Sequence, residues 1–252
     1  MILKKQIQNA LDKDGVVILP PMDVFESIKL LHDNGIHVEC TMLDPWYNKG
    51  FGGVLPTEEY DNFIKTLLDT SGEISDLLYL WGFPEVIGPY VRYAPNNYKM
   101  SAWLTWYYKN CPSVIRGWRS SQNACIQFIR EGYSLHPENF LNSKQKDKLA
   151  NGKMRYIPGP PSVIESPLII GFVGKKEQTG HPSQKPEAVF DKLIMMATEE
   201  SDVVFDPMAG SGTTGASAKK NNRKCILCDM NEDYIQIMER RLGVSKLILP
   251  NG

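Results

Sequence analysis

The sequence has no long apolar run: nothing in its 252 residues approaches the ~18 consecutive apolar positions of a membrane span. The amphipathic opening "MILKKQIQNALDK" also lacks a signal core and a cleavage site, so a cytoplasmic location is expected. Cysteine is scarce and odd in number. The five, Cys40, Cys111, Cys125, Cys225 and Cys228, argue against a disulfide framework and for free thiols in a reducing compartment. Cys225 and Cys228 form a C-x-x-C, but positions three apart on a strand face opposite ways and no second pair exists, so no metal site is expected. A surplus of one charge sign is missing too. With 28 Lys+Arg against 29 Asp+Glu the net charge is −1, so a polyanion partner must meet a local basic face. Internal repeats and low-complexity tracts are absent. What is present, 42% hydrophobic and 23% charged residues, suits one globular domain over 1–252.

Strand and helix signals alternate along the chain. "GVVILP" (15–20), "IHVECTML" (36–43), "DLLYLWG" (76–82), "SAWLTWYY" (101–108), "DVVFD" (202–206) and "KCILCD" (224–229) read as buried strands. Helices are expected over 23–35, 57–70 with Thr57 as N-cap, 186–199, 212–220 and 231–242. This β/α alternation predicts an α/β fold, a largely parallel sheet with helices on both faces. The polar stretch 131–175, with "NSKQKDKLANGKMR" and "IPGPP", breaks the pattern and reads as an insertion. His136 and His181 each precede a proline and read as loop residues, His181 shaping its turn.

"DVVFDPMAGSGTTGASAKK" is strand, glycine turn, helix. Gly210, Gly212 and Gly215 fit G-x-G-x-x-G, which allows a tight turn, close approach of a ligand to backbone, and close packing of helix on strand. The next strand runs to Asp229, where an acid can accept hydrogen bonds from both hydroxyls of a ribose. A nicotinamide enzyme normally opens its sheet with this unit, whereas here too little chain follows Gly215 to build the rest. Asp206 at the strand end suits the ammonium of an amino-acid cofactor better than a pyrophosphate. Together these point to S-adenosylmethionine.

With "GHPSQKP" upstream, "DPMAGSGTTG" and "CILCDMNEDYIQIMERRL" resemble the exocyclic-amino DNA methyltransferases, and "LDPWYNKG" resembles their catalytic D-P-P-Y. The order, catalytic motif before cofactor loop, is that of the circularly permuted β group. "WLTWYYKN" and "RGWRSSQNACIQFIREG" are similar to further segments of that family, the second to the one lining the target-base pocket. Trp46 stands where the family has a second proline. The resemblance implies a Rossmann-like methyltransferase sheet with 131–175 as a target-recognition region, double-stranded DNA as partner, location at the nucleoid when bound to it, and leaves a homodimer open. It implies catalysis by Asp44 and the Pro45 carbonyl, with Tyr47 and Trp46 stacking on a flipped-out base. It implies that Asp206, Pro207, Gly210, Ser211, Gly212 and Thr213 hold the methionine part of the cofactor. Lys185 would then face its carboxylate, Asp229 the ribose, Met230 the adenine, and Asp23 the adenine amino group, unless Asp23 is a plain helix cap. Arg116, Arg119, Lys144, Lys146, Lys148, Lys153 and Arg155 are the expected DNA contacts. Asp44, where some relatives carry serine, favours adenine N6 as target. Cytosine-N4 transfer has the same geometry, RNA and protein-glutamine methylation use a related loop, and a nucleic-acid-binding module with a decayed cofactor site is the rival of another class.

Overall fold

The protein is described from a computed structural model that covers residues 2–48, 53–111 and 117–249. The amphipathic opening is helix α1 (Ile2–Asp14), which buries Leu3, Ile7 and Leu11, spaced by four, and leads through Gly15 into strand β1 (Val16–Ile18). Helix α2 (Val24–Asp33) starts with a capping box: Asp23 accepts the Phe25 N–H at 2.8 Å and Glu26 accepts the Asp23 N–H at 3.3 Å. Asp23 is therefore the cap, and its side chain is exposed. Strand β2 (Val38–Leu43) leads toward helix α3 (Thr57–Ile74), one turn longer than the sequence pattern suggests. Thr57 is not its N-cap. Pro56 holds that position without a side-chain bond, its ring setting the backbone for the first turn.

Strand β3 (Ser75–Gly82), the short helix α4 (Pro84–Ile87), strand β4 (Tyr98–Tyr107) and strand β5 (Gln122–Arg130) follow. The polar stretch is more structured than an insertion reading implies. It holds helix α5 (Ser143–Ala150), opened by an Asn142–Gln145 capping box, and strand β6 (Val163–Glu165), which pairs with β4. Helix α6 (Glu187–Ala197), strand β7 (Val203–Asp206), helix α7 (Thr213–Lys220), strand β8 (Lys224–Leu227) and helix α8 (Glu232–Leu242) complete the chain. Strand β8 stops before Cys228 and Asp229, which fall on the following loop.

The strands form one sheet in the order β1-β8-β7-β2-β3-β5-β4-β6. All neighbours are parallel except β3/β5 and β5/β4, so among the described residues β5 alone is reversed. Helices α1, α2 and α3 cover one face, and α6, α7 and α8 the other, each with its own apolar cluster. Cys225 and Cys228 belong to different clusters, as their spacing requires. Each fully buried leucine or isoleucine, such as Leu67 or Ile194, contributes ~1.5–3 kcal/mol relative to exposure.

Strands β2 and β7 are neighbours at the centre, with Cys40 opposite Val204 and Thr41 opposite Phe205. The chain leaves β2 for α3 on one face and β7 for α7 on the other. That divergence opens a crevice at the carboxyl edge, where doubly wound sheets hold ligands. Asp44 and the glycine loop both lie there.

The cap makes a prediction. Asp23→Ala should lower stability by about 1 kcal/mol in urea denaturation, while Asp23→Asn, which caps as well, should keep the parent midpoint.

Candidate active site

The glycine loop is folded around two buried carboxylates. Asp206, at the end of β7, accepts the Met208 N–H at 3.1 Å and the Thr214 hydroxyl, both uncharged donors. Burial pushes its carboxyl up to about 7, against the opposing effect of those two bonds. Asp229 accepts the Gly210 N–H and the Asn231 N–H, each at 2.9 Å, and burial raises its carboxyl in spite of both. Gly212 caps α7 at φ 73°, in the left-handed region that favours glycine. A Cβ on Gly215 would stand 2.7 Å from Leu227 Cδ1, so only glycine lets α7 lie this close to β8. The arrangement fits the expected cofactor. A desolvated carboxylate with only neutral donors suits an ammonium, and Asp229 keeps spare lone pairs for hydroxyls beyond the one bond each oxygen accepts. Met230, 75% exposed, stands at the rim beside it.

The loop is tied to its surroundings by residues that sequence motifs do not single out. Arg241 of α8 donates to the Ser211 carbonyl at 3.0 Å and to Thr213 Oγ1 at 3.1 Å, while pairing with Glu187 at 2.8 Å. In the sequence it looks like one more basic residue closing a helix. Thr213 Oγ1 in turn donates to the Lys185 carbonyl at 3.0 Å. His181 shapes its turn by accepting the Ser183 N–H at 3.2 Å on Nδ1, and its ring meets Tyr234 edge-on at 4.3 Å.

Asp44 follows β2 and sits at the centre of a closed polar ring. Its Oδ1 accepts the Tyr47 hydroxyl at 3.0 Å, its Oδ2 pairs with the Lys185 ammonium, and that ammonium also donates to the Tyr47 oxygen at 3.0 Å. Burial alone would lower the Lys185 pKa, but Asp44 and Tyr47 outweigh it and raise the pKa, so the ammonium stays charged. Burial, reinforced by Asp44, raises the Tyr47 phenol, which stays protonated. Lys185 is thus held against the catalytic motif, although the resemblance placed it at the cofactor carboxylate. Trp81 Nε1 and Asn123 Oδ1, near the same edge, are buried without hydrogen-bond partners.

Trp46 does not share this site. Its ring packs into the α3 side, 5.4 Å from Tyr60 and 4.7 Å from Phe63, and its carbonyl accepts the Tyr60 hydroxyl at 2.7 Å. The expected stacking of Trp46 on a base is therefore corrected: it wedges the loop, and Tyr47, 4.8 Å from Phe83, is the ring left at the site. Asn48 closes the loop through a 2.6 Å bond from the Leu55 N–H.

The expected DNA contacts divide. Arg116 lies outside the described residues. Arg119 is exposed just before β5, at the carboxyl edge. Lys144, Lys146, Lys148, Lys153 and Arg155 are exposed, but the structure does not bring them to Asp44. The segment leading into α5 is anchored to the far end of α6, with the His136 N–H on the Met196 carbonyl at 2.9 Å and the Asn139 amide on the Met195 and Thr198 carbonyls. That end of α6 feeds the amino end of β7, the edge opposite the crevice. His136 there lies near Glu138 and Glu199, both carboxylates approaching the same Nδ1, at 3.1 and 3.5 Å, as one N–H would bond them.

The chain matches the family model for DNA methylases of the N6/N4 class over residues 38–240, and it belongs to that family. It is an S-adenosylmethionine-dependent methyltransferase acting on an exocyclic amino group in DNA. Among curated relatives, the type II methyltransferase M.HpaI of Haemophilus parainfluenzae is 28% identical over 87% of this chain and 72% of its own length. The DNA adenine methyltransferase YhdJ of Escherichia coli K12 is 26% identical over 82% of this chain and 77% of its own. The fold is shared with M1.HpyAVI in complex with SAM, at TM-score 0.68 and 20% identity over 91% of this chain and all (100%) of that one. It is shared too with the cytosine-N4-specific PvuII DNA methyltransferase, at TM-score 0.65 and 16% identity over 94% and 89% of the two chains. Among the described residues no helix is long and apolar enough to cross a membrane.

Asp206 sets a pH dependence. Its folded pKa lies above the ordinary 3.8, so the folded apoprotein favours the protonated form, and ionisation costs stability progressively as pH rises from about 4 through 7. A cofactor ammonium, itself charged below about 7.7, offsets that cost only when Asp206 is ionised. Calorimetry should therefore show cofactor affinity rising from pH 6 to 7.5, and Asp206→Asn should bind weakly with that slope gone.

Proposed function

We propose that the chain methylates N6 of a flipped-out adenine in double-stranded DNA, within a specific sequence. The observation that carries this reading is the placement of Asp44, paired with a cation and beside a protonated Tyr47, one strand over from the cofactor loop. An exocyclic amino group is a poor nucleophile because its lone pair is delocalised into the ring. Asp44 and the Pro45 carbonyl would accept its two N–H bonds and localise that pair. When bound, the cofactor supplies a methyl group on a sulfonium, whose sulfur keeps the carbon–sulfur electron pair. The amino nitrogen forms the new bond to carbon and loses a proton to Asp44. Lys185, with its raised pKa, does not compete for that proton. Tyr47 would stack on the base plane, partly offsetting the cost of extrusion, on the order of a few kcal/mol. Likeness to a relative named as an adenine methyltransferase, and aspartate at position 44, support adenine over cytosine.

The duplex would meet the carboxyl edge. Trp118 is 97% exposed and Phe172 is 93% exposed, on the loops before β5 and after β6. Described residues of both loops are tied to that edge, Tyr108 by its N–H on the Ser121 carbonyl at 2.9 Å and Leu168 by Asn110, which bonds it through both its amide oxygen and its amide nitrogen. Arg119, Lys175 and Lys176 are exposed beside them. Aromatic tips flanked by cations suit a surface that opens a base step and holds its phosphates. The basic cluster of α5 and its sequel, Lys144 to Arg155, would touch phosphates only away from the flipped base.

Two outcomes check this reading. Asp44→Ala should lower methyl transfer to duplex DNA at least 100-fold while cofactor and DNA binding persist, measured with radiolabelled donor. A variant turning over at a tenth of the parent rate would remove Asp44 from the reaction. For the surface, Arg119→Gln, Lys175→Gln and Lys176→Gln together should flatten the salt dependence of DNA binding by ~0.9 in log–log slope for each phosphate no longer neutralised. The triple change Lys144→Gln, Lys146→Gln and Lys148→Gln should flatten it less, and the opposite ranking would move the interface to α5.

A further inference from the structure

Lys185 is one residue with two attachments. Its carbonyl accepts the Thr213 hydroxyl of the cofactor loop at 3.0 Å, and its ammonium, 7% exposed, pairs with Asp44 and bonds Tyr47. The ammonium also lies 5.6 Å from the Tyr47 ring centroid and 5.9 Å from that of Trp81, within cation–π range. The neighbouring Gln184 is clamped as well, accepting the Thr179 N–H at 2.9 Å and donating to the Glu177 carbonyl at 2.7 Å. The backbone at Lys185 is therefore anchored, and the head of the side chain meets Asp44, Tyr47 and Trp81.

Both oxygens of Asp44 are engaged: Oδ1 by the Tyr47 hydroxyl and Oδ2 by Lys185. The reaction assigned to the site needs one of them to accept an N–H of the target amino group. We propose that Lys185 is a placeholder for that amino group: its ammonium holds the acceptor position on Asp44 Oδ2 until the base arrives and then yields it, exchanging one N–H donor for another. This inference rests on the methyl-transfer reading above. The physical need is plain. Without an incoming donor or Lys185, a carboxylate only 24% exposed and close enough to Asp206 to raise that acid's pKa would stand with one oxygen lacking a counter-charge, a costly state. Lys185 supplies the counter-charge until the base arrives and keeps the carboxylate of Asp44 oriented. As it yields, the Trp81 ring, 5.9 Å away and not assigned to the base, offers the displaced ammonium a second resting place. Through Thr213 the same residue links the cofactor loop to the carboxylate, so the two halves of the site are set by one backbone position. Lys185 is a positioning residue: it acts through Asp44.

The test compares Lys185→Met and Lys185→Arg with the parent, reading cofactor Kd by calorimetry and kcat and KM with radiolabelled donor and plasmid DNA. The placeholder role predicts that Lys185→Met lowers kcat at least 100-fold at saturating donor and keeps cofactor Kd within threefold. Lys185→Arg, which can still pair with the carboxylate, should recover at least tenfold of that loss. A lysine serving the cofactor carboxylate instead predicts the reverse split, Kd weakened tenfold or more with kcat preserved, and that result overturns the proposal, as does an unchanged kcat. If Lys185→Met does not fold, Lys185→Arg decides: kcat above a tenth of the parent with unchanged cofactor Kd supports the role, and loss of cofactor affinity overturns it. A parent enzyme that transfers no methyl group to DNA would instead sink the functional reading itself, so the two failures are distinct.

Discussion

The ion pair between Asp44 and Lys185 joins parts of the chain that lie 141 positions apart, and the site depends on it. On one side stands the strand that delivers the carboxylate; on the other stands the segment that clasps the glycine loop. Neither motif is a site alone. The sheet makes their meeting possible by setting β2 beside β7, so that Asp44 and Asp206 emerge on adjacent strands at the same edge. Strand spacing of ~4.8 Å then does what sequence proximity does not.

The charge arrangement follows from burial. Asp206 and Asp229 are desolvated and held by neutral donors, whereas Asp44 has a cation. Three carboxylates in one crevice would repel one another if all were bare. The protein answers with a lysine at Asp44, and with hydroxyl and N–H donors at Asp206 and Asp229. Arg241 adds rigidity by fixing Ser211 and Thr213 against Glu187, which lets the loop present a fixed shape before any ligand arrives.

Much of this was legible in the sequence, for reasons that differ by element. Strands such as "DVVFD" were readable because burial on both faces demands an apolar run, and α7 because the glycines preceding it announce the turn. The placement of Asp44 and Asp206 at the carboxyl ends of their strands was readable from the apolar runs that precede them, whereas Asp229 falls on the loop just past β8. The reversed direction of β5 and the addition of β6 to the sheet were not, since pairing is a tertiary choice that period-2 patterning leaves open. Asp23 carries both a cap signature and a resemblance to a cofactor acid, and the bonds to Phe25 and Glu26 make it the cap of α2. Trp46 sits next to Tyr47 in the chain yet faces the other layer, because Tyr60 and Phe63 offer it an aromatic socket. The lysines of α5 look like a DNA-reading cluster in one dimension. Anchoring at the far end of α6 takes them to the opposite edge.

Two distant motifs are held together by a part-buried, charged contact. A double-mutant cycle on folding stability tests it most directly, using Asp44→Ala, Lys185→Met and the combined variant in urea denaturation. The account predicts coupling of about 2 kcal/mol or more, because removing either partner strands the other charge in the crevice. Additive effects, agreeing within ~0.5 kcal/mol, would contradict it and leave the two motifs as independent neighbours.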